Sequence, residues 1–113
     1  MKKYIVLFLI VPFFTFSQSN DKNTKETFSV EGNCSMCKKR IEKATLSLNG
    51  VKYAKWNKKS GDFSIIYNND KVNIQEIRSK IAQSGHDNGE YVTTTEVYDK
   101  LPDCCKYRDT GKH

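Results

Sequence analysis

Proline is nearly absent from this chain, with two residues in 113, and glycine is held to six. Those low values exclude a collagen-like repeat and a Pro/Gly-rich disordered chain. Apolar residues are also modest at 37%, which suits a single small domain with one limited core. A wide enzyme cleft between two domains has no room at this length. There is no usable internal repeat and no low-complexity tract. Histidine is scarce, with only His86 and His113. The basic residues form no recognised base-reading motif, so no nucleic acid is expected as a partner. What the chain does carry is four cysteines and a formal charge of +6.

No apolar run reaches the roughly 20 residues that a membrane-spanning helix needs. The run from Tyr4 to Phe14 is interrupted by Pro12, follows the basic start Met1-Lys2-Lys3 and gives way to Ser17-Gln18 and a polar stretch. A basic start, an apolar middle and a small residue at the cut predict a secretory signal peptide over 1–17, cleaved after Ser17. The expected location is therefore periplasmic or secreted, with no membrane attachment once the signal is removed. No cysteine closely follows the apolar run, so a lipid anchor is not expected. Loss of Lys2 and Lys3 takes the formal charge from +6 to +4. In an oxidising compartment, exposed thiol pairs are kept reduced by a partner, occupied by a metal, or meant to be oxidised.

Residues 18–26 read as a flexible polar leader. From Thr27, Phe28 and Val30 alternate with Ser29 and Glu31 as in a half-buried strand. A helix follows, with Cys37, Ile41, Ala44 and Leu48 on one face, Ser35 as its N-cap and Asn49-Gly50 as its stop. Val51 to Trp56 and Phe63, Ile65 and Tyr67 form a hairpin across Lys58-Lys59-Ser60-Gly61. Asn73 and Glu76 make a capping box for a second helix that buries Ile74, Ile77 and Ile81, with Gly85 at its C-cap. A short fourth strand is expected around Tyr91-Val92. This βαββαβ order predicts an α+β, ferredoxin-like fold over 27–92, with two helices on one face of a four-stranded antiparallel sheet. Residues 93–113 form a C-terminal extension. In it Thr95, Val97, Tyr98 and Leu101 suggest a short helix before Pro102.

Cys34-Ser35-Met36-Cys37 is a CxxC at a strand-to-helix turn. The spacing lets two sulfurs converge on one ion, and soft thiolates select Cu(I), Zn(II) or Hg(II). Lys38, Lys39 and Arg40 are expected to lower the thiol pKa values, as a helix N-terminus does. Taken alone, CxxC also fits a structural disulfide, half of a four-cysteine zinc site or a dithiol redox centre. A thioredoxin-type centre lacks support, because no Trp precedes Cys34 and no Pro separates the cysteines.

Gly32-Asn33-Cys34-Ser35-Met36-Cys37, Ile41-Glu42-Lys43-Ala44, Leu48, Gly50-Val51, Ala54, Gly61, Tyr67-Asn68, Val72, Ile77, Ile81 and Gly85-His86-Asp87 together resemble a heavy-metal-associated domain. The resemblance spans about residues 26–92. Such domains serve as copper chaperones, as modules of copper-transporting ATPases and as the periplasmic mercuric-ion binding protein. It implies metal binding by Cys34 and Cys37 and transfer by thiol-for-thiol exchange. Two departures stand out. Gly32-Asn33 replaces the usual apolar tether of the metal loop. His86 occupies a position that the family fold brings near that loop, making it a candidate third ligand.

Cys104-Cys105 lies beyond the family pattern. Adjacent cysteines rarely bond to each other, so the pair either folds back toward the first loop or stands apart. Folding back raises the sulfur count to three or four and favours tetrahedral Zn(II) or a polynuclear Cu(I) site. The alternatives are a disulfide to Cys34 or Cys37 and an independent thiol site. The expected function is non-enzymatic: binding of a soft ion, Cu(I) first and Zn(II) or Hg(II) next, and delivery to a metal-transporting ATPase domain or another metal-binding protein. The basic helix face Lys38 to Lys43 offers a docking surface for an acidic partner. A dimer sharing one ion between two CxxC pairs remains open. The rival is a dithiol–disulfide exchange protein that couples Cys34/Cys37 to Cys104/Cys105.

Overall fold

Alternation along β3 (Asp62–Asn68) decides the sheet, because Phe63, Ile65 and Tyr67 all point into the core while Asp62, Ser64, Ile66 and Asn68 do not. In this computed structural model, which describes residues 22–110, β3 is the central strand. β1 (Asn23–Ser29) and β2 (Val51–Trp56) flank it, both antiparallel. Phe28 and Trp56 both pair with Phe63 across the ladders. The Phe28 and Phe63 rings meet edge to face with centroids 5.5 Å apart, a preferred aromatic geometry. The signal peptide expected over 1–17 and His113 lie outside the described residues.

β1 begins at Asn23, so the last residues of the expected 18–26 leader are strand. Their polar side chains suit an edge strand whose register is set by β3, with Asn23 opposite Asn68. α1 (Ser35–Leu46) buries Cys37, Ile41 and Thr45, a strict i, i+4, i+8 stripe. The expected Ala44 and Leu48 are half-buried, and Thr45 takes the inner position by returning its hydroxyl to Ile41 O at 3.0 Å. The N-cap is Cys34 rather than Ser35, with no side-chain cap hydrogen bond. Helix α2 (Ile74–Gln83) starts at a complete capping box, in which Asn73 Oδ1 accepts from Glu76 N–H at 2.8 Å and Glu76 Oε1 from Asn73 N–H at 3.0 Å. Ile77, Ile81 and Ala82 are its buried residues. Both helices join the inner face of β3 in one apolar cluster with Trp56 and Val72.

The sheet among the described residues has three strands, not the four expected. The segment intended as the fourth strand turns on itself. Gly89, at φ +62°, lets Asn88 and Tyr91 exchange both backbone hydrogen bonds, at 2.9 and 3.0 Å. That turn consumes the groups that a longer ladder would use, and Val92 is left 62% exposed. One backbone link from this segment to the first loop remains, Glu31 N–H to Asp87 O at 2.9 Å. The chain then forms α3 (Thr95–Asp99), a 3₁₀ turn at Asp103–Cys105 and α4 (Tyr107–Thr110). Leu101, Cys105 and Tyr107 are buried in the same core as the helices. No helix among the described residues is long and apolar enough to cross a membrane.

Candidate metal centre

The loop after β1 is seated on a tryptophan. Trp56 Nε1 donates to Val30 O at 3.0 Å and to Gly61 O at 3.1 Å, and Gly32 lies against Cζ2 and Cη2 of the ring. This indole supplies the anchor that the Gly32-Asn33 stretch does not. The sequence pattern marks Trp56 only as the end of the second strand. The signal for its larger role was a lone Trp at the end of β2, facing a loop glycine. Glu42 ties the same strand to α1, accepting from Trp56 N–H at 2.8 Å and from Lys38 Nζ at 2.6 Å.

The helix start then presents the sulfurs. Cys37 is fully buried and Cys34 half-buried, with their Sγ atoms 3.4 Å apart. Asn33 holds Cys37 from both sides: its N–H donates to the sulfur, and the Cys37 thiol donates to Asn33 Oδ1, each at 3.4 Å.

Cys104 and Cys105 come back to this loop. Cys34 Sγ is 3.3 Å from Cys104 Sγ and 3.5 Å from Cys105 Sγ. The sulfurs of Cys34, Cys104 and Cys105 all lie within 4.8 Å of one another. All four cysteines are free thiols. Cys34 is thus the hub, touching each of the other three.

The return is fixed by residues that pattern reading did not single out as functional. Tyr107 donates its hydroxyl to Gly85 O at 2.8 Å and accepts from Asp87 N–H at 3.0 Å. Arg108 grips both oxygens of Asp87 at 2.9 to 3.2 Å and donates to Thr93 O at 3.2 Å. Tyr98 accepts from Arg108 N–H at 2.9 Å, and Leu101 packs on Gly85. A Tyr-Arg pair two residues past two cysteines was the available signal, but its partner Asp87 lies 21 residues away in sequence.

His86 stands outside the sulfur group. Its ring is completely buried and stacks on Tyr107, with centroids 5.5 Å apart and planes 24° from parallel. Nδ1 lies 2.8 Å from Glu31 O. A carbonyl only accepts, so Nδ1 carries the proton and Nε2 keeps a bare lone pair without a hydrogen-bond partner among the described residues. Burial is the main cause that pushes its pKa down to about 4.

Burial pushes the Cys34 thiol upward, but hydrogen bonds with Cys104, the Cys37 backbone and the Cys37 and Cys105 thiols overcome it and bring the pKa to about 7. The expected role of nearby cations is not seen, because Lys38 is spent on Glu42 and Arg40 on Ser84 O at 2.9 Å. Burial raises Cys37 and Cys105, and the bond to Cys34 raises Cys104. Of the four thiols, Cys34 is therefore the one that ionises most readily. Such a set of soft, convergent sulfurs suits a soft or borderline ion.

No family model matches the chain. It is 32% identical over 65 residues to copper chaperone CopZ of Staphylococcus aureus (strain MRSA252), a match that covers 57% of this chain and 96% of that protein. The solved CopZ metallochaperone superposes with a TM-score of 0.56 at 32% identity, over 57% of this chain and 98% of that one. The N-terminal domain of a potential copper-translocating P-type ATPase from Bacillus subtilis, solved in the Cu(I)-loaded state, gives 0.56 at 25% identity, over 58% and 84%.

Proposed function

From the premise that the chain belongs to the family of copper chaperones and heavy-metal-associated domains, we propose that Cys34 and Cys37 bind Cu(I) and deliver it to a partner protein in the cell envelope. The observation that carries this reading is the pair of sulfurs 3.4 Å apart on a half-exposed loop. Copper is cargo here rather than a resident cofactor. An open thiolate site lets an incoming thiol attack the ion, so tight binding and fast exchange coexist. Zn(II) and Hg(II) are the competing ions for the same sulfurs. His86 serves this reading as a packed support for the loop, through its bond to Glu31 O.

The partner in this reading is a metal-transporting ATPase domain, supported by likeness to the Cu(I)-loaded ATPase domain. Lys39 and Lys43, exposed on α1, provide a basic docking surface for an acidic partner. Export through the 1–17 signal belongs to the same proposal. A second reading, dithiol–disulfide exchange, draws on the Cys34 to Cys104 sulfur distance of 3.3 Å.

Titration of the reduced protein with Cu(I), Zn(II) and Hg(II) against competing chelators tests this, alongside Cys34→Ser/Cys37→Ser. Tight Cu(I) binding lost in the double variant supports the reading. Absence of binding by the reduced wild type removes it. Disulfide reduction by metal-free protein would instead favour the exchange reading.

A further inference from the structure

Cys104 is exposed, yet its sulfur is turned onto Cys34 at 3.3 Å. The fold has no packing use for it, since Cys105 alone fills the core position, with no exposure at all. A thiol is a weak hydrogen-bond donor and acceptor, so S–H···S contacts alone give little reason for the sulfurs of Cys34, Cys104 and Cys105 to gather within 4.8 Å of one another.

The spacing fits an ion. With a metal–sulfur bond of about 2.3 Å, the edges of a tetrahedral thiolate shell are about 3.8 Å. The contacts at Cys34 are 3.3 to 3.5 Å, so widening of about half an ångström admits a metal. The arrangement is also held in place in advance. The strap that carries the two cysteines is fastened at Tyr107 and Arg108 to Gly85, Asp87 and Thr93, none of which is in the sulfur set. Ordering the ligands beforehand reduces the cost of binding.

We propose that Cys104 and Cys105 are metal ligands carried by a C-terminal strap, raising the shell around the cargo ion from two thiolates to at least three. This rests on the reading of Cys34 and Cys37 as a Cu(I) site and deepens it. The strap stands in for the thiols of the receiving protein and shields the ion until they arrive. In transfer, a partner thiol loses its proton to solvent as its sulfur bonds to Cu(I). The bond from the ion to Cys104, the most exposed of the four sulfur residues, breaks, and the released thiolate takes up a proton. The copper stays monovalent throughout.

The test loads the reduced full chain with one equivalent of Cu(I) and reads three quantities: sulfurs per copper by X-ray absorption, affinity by chelator competition, and release rate to excess chelator. Cys104→Ser is the principal variant, because position 104 is exposed and the core is untouched; circular dichroism checks its fold, and Cys104→Ala repeats the measurement. Expected are three or more sulfurs in the wild type and one fewer in the Cys104 variants, with affinity at least tenfold weaker and faster release. Arg108→Ala, which keeps every thiol, is expected to speed release several-fold. Two sulfurs per copper in both wild type and Cys104→Ser, with equal affinity, would overturn the strap ligands and leave the Cys34–Cys37 site standing. Failure of the wild type to bind Cu(I) would overturn both.

Discussion

The indole of Trp56 lies against Gly32 so closely that a β-carbon at position 32 would sit 2.9 Å from Cζ2 and 3.0 Å from Cη2. The same carbon would be 3.1 Å from Cys37 Cβ. The glycine is thus required by proximity, and the metal loop is seated directly on the ring. Gly32→Ala is expected to destabilise the fold by about 1–3 kcal/mol, the usual cost of overpacking. It should also weaken Cu(I) binding, because relief of the clash moves Cys34 or Cys37. Denaturant unfolding and chelator competition measure the two effects. Trp56→Phe in the same chain should recover part of the loss, as expected for residues in direct contact. Additive losses would show that the contact does not set the loop.

The strap should come loose in two separable ways. Tyr107 is buried and its hydroxyl serves both Gly85 O and Asp87 N–H. Tyr107→Phe leaves two backbone groups unpaired and is expected to cost about 1–3 kcal/mol. The Arg108–Asp87 pair is partly exposed, so Arg108→Ala should cost nearer 1 kcal/mol or less. Urea unfolding of the metal-free protein gives the order, and the reverse order would place the main fastening at the ion pair.

Cys34 should be the first thiol to react. Its pKa is brought to about 7 against burial, with the hydrogen bond between the Cys34 and Cys104 sulfurs as the foremost lowering cause. Alkylation of the reduced, metal-free protein should follow a titration centred near pH 7 at Cys34, mapped by peptide mass spectrometry. Cys105, buried and raised, should stay unmodified until the chain unfolds. Cys104→Ala removes that bond and should move the Cys34 midpoint upward. An unchanged midpoint would mean that the helix start alone sets it.

Much of this architecture is legible from local pattern. The β3 alternation, the Asn73–Glu76 capping box and the Cys34–Cys37 spacing each depend on residues within a few positions of one another. The return of Cys104 and Cys105 is a different kind of information. It rests on Tyr107 and Arg108 meeting Gly85 and Asp87, and periodicity does not report a contact across some twenty residues. The fourth strand failed for a related reason. Tyr91-Val92 has strand propensity, but Gly89 permits a turn that closes first. Thr45 took the inner place expected of Ala44 because its hydroxyl found a carbonyl within its own helix.

His86 should make the fold acid-sensitive. It is buried as the neutral ring, and its pKa falls from the ordinary 6.5 to about 4, chiefly through burial, with the charge of Arg40 adding to the effect and the Glu31 carbonyl and Asp87 opposing it. Above pH 6.5 the ring is neutral in both folded and unfolded chains, and its contribution to stability is complete. Between pH 6.5 and 4 the unfolded chain binds a proton that the folded one refuses, so stability falls as pH falls. The loss approaches about 3 kcal/mol by pH 4, and the slope from this residue dies away as the pH falls below the folded pKa. Urea unfolding of metal-free, reduced protein between pH 7.5 and about 4.5 measures it. His86→Phe keeps a ring to stack on Tyr107 and should flatten the slope in that window, while losing the bond to Glu31 O. Equal slopes for the two proteins would mean that the ring gains a proton inside the fold, through a partner for Nε2.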